Sequence, residues 1–105
     1  MSHQEIMSII EEMKLPYAYD HFAEGESPEP PFVVFVYPKS VNFAADGIAY
    51  FKIHRLNIEL YCDYKMTELE EQIETVLELH SIFYTKSEVW IKEERLYEVL
   101  YEMEV

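Results

Sequence analysis

The most informative stretch of this chain is Leu96–Val105, LYEVLYEMEV. From Tyr97 onward every odd position is apolar or aromatic, while Glu98, Glu102 and Glu104 occupy even positions. A two-residue period of this kind is typical of a strand with one face in the core and the other in water. We therefore predict a closing sheet strand and regard its three glutamates as one candidate acidic face.

Two amphipathic helices are predicted upstream of this strand. Ser2 with Glu5, and Thr67 with Glu70, have the spacing of a capping box, in which two side chains satisfy backbone donors of the first helical turn. Apolar residues recur at helical spacing after each pair, so each helix should pack on the sheet through a single stripe. Pro16 should end the first helix.

Runs of β-branched and aromatic residues predict strands at Tyr17–Phe22, Phe32–Tyr37, Ile82–Trp90 and Arg95–Val105, with another long strand after Asp46-Gly47. The expected fold is one α+β domain, residues 1–105. It has an antiparallel sheet of four or five strands, both helices on one face and the order α-β-β-β-α-β-β. The expected core contains Ile6, Ile10, Val34, Val36, Ile58, Leu60, Leu69, Ile73, Val76, Leu77, Val99 and Tyr101.

A hairpin is predicted at Asp46-Gly47, because glycine supplies the positive φ of a tight turn. In the strand that follows, the apolar residues change from one face to the other. Phe51 and Ile53 are at odd positions, whereas Leu56 is at an even position. A bulge near His54–Arg55 would reconcile the two halves. Alternatively, the outer half of the hairpin stands away from the core and its apolar residues meet a neighbouring molecule.

The charge of the chain argues against several classes of ligand. Among its 105 residues, 21 are acidic and 8 are basic, which gives a formal net charge of -13. Binding to nucleic-acid phosphates or to an anionic membrane surface requires the opposite sign of charge. The sequence also lacks an apolar run of roughly 20 residues and a signal-peptide pattern, so we expect a protein made in a cytoplasm.

No catalytic, cofactor or metal site is expected, and the sequence does not indicate an enzyme. Two glycines cannot build a phosphate-binding loop or a dinucleotide fingerprint. The four histidines fall in different predicted elements, without the paired spacing of a metal site. Cys62 lies on the inward phase of its strand and is expected to be a small buried hydrophobe.

The second helix offers another candidate acidic face. Glu71, Glu74 and Glu78 lie opposite its apolar stripe and have no basic partner at helical spacing. Such a face is commonly only solvated. It could also imitate the phosphates of DNA for the basic cleft of a host nuclease.

Three segments together resemble a known family: Asn42-Phe43-Ala44-Ala45-Asp46-Gly47, Leu56-Asn57-Ile58-Glu59-Leu60-Tyr61 and Tyr97-Glu98-Val99-Leu100-Tyr101-Glu102-Met103-Glu104-Val105. Leu15-Pro16-Tyr17-Ala18-Tyr19, followed by a proline-rich loop and Pro31-Phe32, also fits. The family consists of small proteins encoded in the head-tail joining region of long-tailed phages and prophages of Gram-positive bacteria. They resemble tail-completion or tail-terminator proteins.

The resemblance implies a structural virion protein without catalytic residues or cofactors. Its subunits would form a homo-oligomeric ring, commonly six-fold, between the tail tube protein and the head connector or completion protein. The protein would be made in the host cytoplasm and end at the head-tail junction. The assembly contacts would come from the sheet edges and from a hairpin that contains Asn42, Phe43, Ala44, Asp46 and Gly47.

An acidic surface suits a ring through which DNA must slide without sticking. The alternative function is an acidic DNA-mimic inhibitor of a host nuclease, which requires carboxylates in rows on one continuous face. A small hydrolase or ligand-binding domain is a third reading, for which no polar cluster converges in the sequence. Neither leading reading involves a membrane or specific nucleic-acid binding.

Overall fold

A computed structural model describes the backbone of residues 1–45 and 48–105 and the side chains of residues 1–39 and 53–105. The helices are α1 (His3–Glu12) and α2 (Thr67–Leu79). The strands are β1 (Tyr17–Tyr19), β2 (Phe32–Val36), β3 (Ser40–Ala45), β4 (Ile48–Cys62), β5 (Tyr84–Ile91) and β6 (Leu96–Glu104). None of the described helices is both long and apolar enough to cross a membrane.

The predicted α+β class is confirmed. Five strands form one sheet in the spatial order β1-β2-β4-β6-β5, and these strands with the two helices follow the predicted order α-β-β-β-α-β-β. Strand β3 is an addition to that order. It pairs with β4 alone among the described strands and forms the first arm of the predicted hairpin.

The prediction of a purely antiparallel sheet is wrong at one edge. Strand β1 runs parallel to β2, with Tyr17 beside Val33 and Tyr19 beside Phe35. Residues 20–31 connect the two strands and return the chain to the end at which β1 began. Parallel neighbours need a crossover of about a dozen residues, which this proline-rich connection provides without a helix. The sheet is therefore mixed.

Helix α1 begins as the sequence predicts. The Ser2 Oγ accepts a hydrogen bond from the Glu5 backbone N–H at 3.1 Å, and the Ser2 N–H donates to the Glu5 carboxylate at 3.4 Å. The helix ends before Pro16, with Lys14 in the left-handed region at φ 58°. The capping box thus fixes where the first apolar stripe starts.

The second predicted capping box does not form. Met66, rather than Thr67, is the N-cap residue of α2, and its side chain makes no capping hydrogen bond. Glu70 forms salt bridges with Lys65 and Lys86 instead. Hydrogen bonds from charged donors are stronger than those from a neutral backbone N–H, so the Glu70 carboxylate binds the lysines instead of capping the helix.

Both helices cover the same face of the sheet, as predicted. The buried side chains of α1 and α2 form one cluster with alternate residues of the central strands, such as Ile58 of β4 and Tyr101 of β6. The opposite face of the sheet carries no helix among the described residues. We call it the open face, and it includes the even positions of β6, where Glu98 and Glu102 lie.

Most of the predicted core is buried, and the differences follow from the register. Eight predicted positions lie in the core cluster: Ile6, Ile10, Ile58, Leu60, Ile73, Leu77, Val99 and Tyr101. Val34 is buried outside that cluster, because it pairs with Glu59 on the open face. Val36, Leu69 and Val76 are only half-buried. Core residues absent from the prediction are Ile9, Met13, Val33, Phe35, Leu56 and Met103.

The long strand β4 changes partners along its length. Its inner half pairs with β6 without a break from Arg55 to Cys62, so no bulge interrupts that ladder near His54–Arg55. At His54, backbone hydrogen bonds of 2.8 Å to Val105 end the contact with the C-terminal segment. Beyond that point β4 pairs only with β3 among the described strands. The outer half is therefore a two-stranded ribbon that leaves the sheet, as the second interpretation of the phase change expected.

Candidate functional site

A network of charged side chains joins α2 to the edge strand β5. Glu70, only 3% exposed, receives Lys65 Nζ and Lys86 Nζ at 2.8 Å each. Lys86 also reaches Glu74 at 2.8 Å, and the Tyr101 hydroxyl donates to the same Glu74 carboxylate at 2.8 Å. Lysine cations from a loop and a strand thus neutralise carboxylates of the helix.

In this network the pKa directions favour ionised carboxylates and a charged lysine. Burial alone would raise the pKa of the Glu70 and Glu74 carboxyls, but hydrogen bonds from the lysines outweigh it and hold both values below the usual range. Burial tends to lower the pKa of Lys86, and its two carboxylate partners raise it well above the usual value. Lys86 is therefore held as a cation, which is not a nucleophile.

The predicted acidic face of α2 is divided between different environments. Glu74 lies in the network with Lys86, whereas Glu71 is exposed. Glu78 is exposed too and accepts a hydrogen bond from the Tyr84 hydroxyl at 3.3 Å. None of the three has a basic partner at helical spacing, and the partner of Glu74 comes instead from β5. These three carboxylates do not form a continuous free row.

The other predicted acidic residues do share a surface. Glu98, Glu102 and Glu104 alternate with buried residues of β6, so all three lie on the open face, and Glu59 of β4 lies near them. Burial, followed by the charges of Glu59 and Glu94, raises the pKa of the Glu98 carboxyl. The structure thus brings Glu59 and Glu94 close enough to Glu98 to disfavour its ionised form.

The open face is not uniformly acidic. Arg55 forms a salt bridge with Glu104 at 3.1 Å. Phe32 stacks on Tyr61 with ring centroids 5.3 Å apart, and the Tyr61 hydroxyl donates to Glu59 at 3.2 Å. The stacked rings of Phe32 and Tyr61 therefore lie beside acidic groups on this face of the sheet.

The predicted assembly hairpin is described only in part. Asn42, Phe43 and Ala44 lie in β3 of the ribbon, and the β3–β4 register shifts between Phe43 and Ala44. Their side chains lie outside the described part of the structure, and Asp46 and Gly47 lie wholly outside it. The described backbone shows the two paired arms that the turn signal predicted.

Two further surfaces were missed by the sequence reasoning. One is the outer edge of β5, whose residues Thr85–Trp90 are all exposed. The other is an aromatic pocket of about 380 Å³ beside β1, in which Phe35 is buried, lined by His3, Met7, Tyr17, Tyr19, Phe35 and Tyr37. The tyrosine surplus was a signal for the pocket, but the parallel pairing of β1 was needed to bring these rings together.

The expectation for Cys62 is confirmed: it is 2% exposed, and burial followed by the nearby Glu70 raises the pKa of its thiol to about 11. Within residues 1–39 and 53–105, no three His, Cys, Asp or Glu side chains are grouped to hold a metal ion. No protein-family model matches the chain, and no curated protein matches it in sequence.

Proposed function

We propose that this protein is a structural subunit of a phage or prophage head-tail junction. In this proposal, copies of the chain form a ring, with six as the expected number, that joins the tail tube to the head connector. Function then lies in contacts between proteins and not in a reaction. Residue similarity to head-tail joining proteins motivates the proposal, and two features of the structure support it.

The β3–β4 ribbon is the observation that carries the proposal. Two paired strands leave the sheet at His54, and the longest dimension of the molecule is 50 Å against 30 and 23 Å for the others. A two-stranded ribbon has only marginal stability alone in water. Packing against a neighbouring subunit would stabilise it and would explain why so long a hairpin is built on so small a domain.

The open face supports the second part of the proposal. Glu59, Glu98 and Glu102 lie together on the open face of the sheet. If this face lines the ring, its charge repels the phosphates of passing DNA and prevents adhesion. Between the two predicted acidic clusters, the one on β6 fits this role better, since Glu74 is already neutralised by Lys86.

The test removes the ribbon without touching the core. A variant that joins Ser40 to His54 through an Asn-Gly turn deletes residues 41–53 and keeps a two-residue hairpin. We expect the wild-type protein to form closed rings on purified tail tubes, seen by electron microscopy. The variant should retain its circular dichroism spectrum but form no rings. Rings of normal size from the variant, or no rings from either protein, would contradict the proposal.

A further inference from the structure

The outer edge of β5 is open along its whole length. Among the described strands, β5 pairs only with β6, so one side of its backbone has no ladder partner. All six residues from Thr85 to Trp90 are exposed. On the helix side, Lys86 reaches Glu70 and Glu74 and Glu88 reaches Lys65, whereas no described element covers the outer edge of β5.

Large apolar side chains are exposed at the two ends of this edge, and the strand is tied to α2. Phe83 is 93% exposed, and Val89 and Trp90 are 52% and 45% exposed. Lys86 ties the strand to α2 through Glu70 and Glu74. Exposed edge strands with apolar side chains pair readily with other strands, and natural proteins usually protect them. A preformed strand loses little conformational freedom when it pairs.

We propose that β5 binds β5 of a second copy, antiparallel, about a two-fold axis at Ser87. Lys86 then lies opposite Glu88 of the second copy, and Tyr84 lies opposite Trp90. These pairs occur twice because of the symmetry, so two aromatic pairs form across the new ladder. Lys86 keeps Glu70 and Glu74, and Glu88 keeps Lys65, within each copy. Across the axis each lysine therefore faces a glutamate and no like charges meet. On the other face of the strands, Thr85 meets Val89 and Phe83 meets Ile91.

The sequence of β5 selects this register over its neighbours. In an antiparallel pair, directly opposite residues point to the same face of the sheet. A two-fold axis perpendicular to the sheet must therefore pass between two copies of the same residue. An axis at Lys86 places two lysines opposite each other, and an axis at Glu88 places two glutamates there. Like charges directly opposite are destabilising. The axis at Ser87 avoids both repulsions, because each lysine then lies opposite a glutamate.

This contact is separate from the proposed ring. A ring of identical subunits joins two different patches, whereas the β5 pair joins a patch to itself. The two contacts use different surfaces, so neither requires the other, and the β5 pair can be tested on the free protein. It would bury the exposed edge while the ribbon and the open face remain available.

A cysteine at the axis tests the pairing. In Ser87→Cys the two thiols face each other, so mild oxidation of the purified protein should give a disulfide-linked dimer. Thr85→Cys is the matched control, because this exposed site lies on the same face but about 14 Å from its own symmetry mate. We expect it to link at least about tenfold more slowly, since such a distance cannot be bridged. Buried Cys62 should not contribute.

Two further results bear on the register. Thr85→Cys mixed with Val89→Cys should form a cross-linked heterodimer, because these positions lie opposite each other in the proposed pair. Glu88→Lys should abolish the dimer in sedimentation experiments while leaving the circular dichroism spectrum unchanged. Equal cross-linking rates for the two single cysteine variants, or a wild-type protein that sediments only as a monomer at high concentration, would overturn the inference.

Discussion

At the scale of single residues, the buried carboxylate of Glu70 holds Lys65 and Lys86 at the edge of the core. Its spacing from Thr67 predicted a capping role that the fold does not use. Its partners are Lys65, just before the helix, and Lys86, on a strand that follows the helix. Helical spacing cannot reveal a partner from another element. The Ser2 and Glu5 pair was predictable because every atom that it needs lies within one turn.

Glu70→Gln should destabilise the fold by about 2 kcal/mol, because it leaves two lysines without their buried carboxylate, although both can still reach water. The folded-state pKa of Glu70 lies below its ordinary value of 4.5. Its contribution is therefore present above that pH and is lost as pH falls through the folded-state pKa. Urea denaturation at several pH values measures this. The exposed Glu71→Gln control should change stability by less than about 0.5 kcal/mol.

Glu98→Gln should have the opposite effect. The pKa of Glu98 is raised in the folded protein by burial and by neighbouring carboxylates, so its ionisation costs stability. This cost is absent at low pH and appears as pH rises through the folded-state pKa. We expect the variant to melt at a higher temperature than wild type at pH 7 and at the same temperature at pH 3. An equal change in melting temperature at both values would contradict this explanation, and exposed Glu93→Gln is the control.

At the scale of elements, the spacing of apolar residues correctly predicted which face of each element is buried. The alternation of β6 and the apolar stripes of both helices were correct, because each element turns one face to a single core. The parallel direction of β1 was not predictable, since it depends on the path of residues 20–31 and not on the strand itself. The change of phase in β4 is compatible with either a bulge or a ribbon that stands away from the core. Only the end of the β4–β6 ladder distinguishes them.

Helix α2 offers a direct check of which face is buried. Ile73 is 0% exposed and Leu79 is 75% exposed. Ile73→Ala should cost about 2 to 5 kcal/mol, since it leaves a cavity between helix and sheet. Leu79→Ala should cost less than about 0.5 kcal/mol. Two-state urea denaturation measures both, and similar losses for the two variants would show that the helix packs differently.

At the scale of the whole molecule, the sequence predicted the charge but not its arrangement. Of the two candidate acidic clusters, Glu98, Glu102 and Glu104 share the open face, whereas Glu74 is paired across the edge of the core. The second arrangement depends on β5 lying beside α2, which composition does not reveal. The edge of β5 and the aromatic pocket were missed for the same reason, because each is created by elements distant in the chain.

The open face gives a prediction for the assembled ring. A variant with glutamine at Glu98, Glu102 and Glu104 should still assemble but should retain duplex DNA that wild-type rings release, and added salt should weaken that retention. Gel-shift assays on assembled rings measure this. Glutamine at Glu71 and Glu78 is the control and should leave release unchanged. A nuclease that wild-type protein inhibits and either variant does not would instead favour the DNA mimic.

We propose that this protein joins heads to tails. The most direct measurement is electron microscopy of particles made after deletion of its gene from the phage or induced prophage that carries it. We expect filled heads and separate tails, with joining restored by the wild-type protein but not by the variant that lacks residues 41–53. Intact, infectious particles in the absence of the protein would contradict the claim.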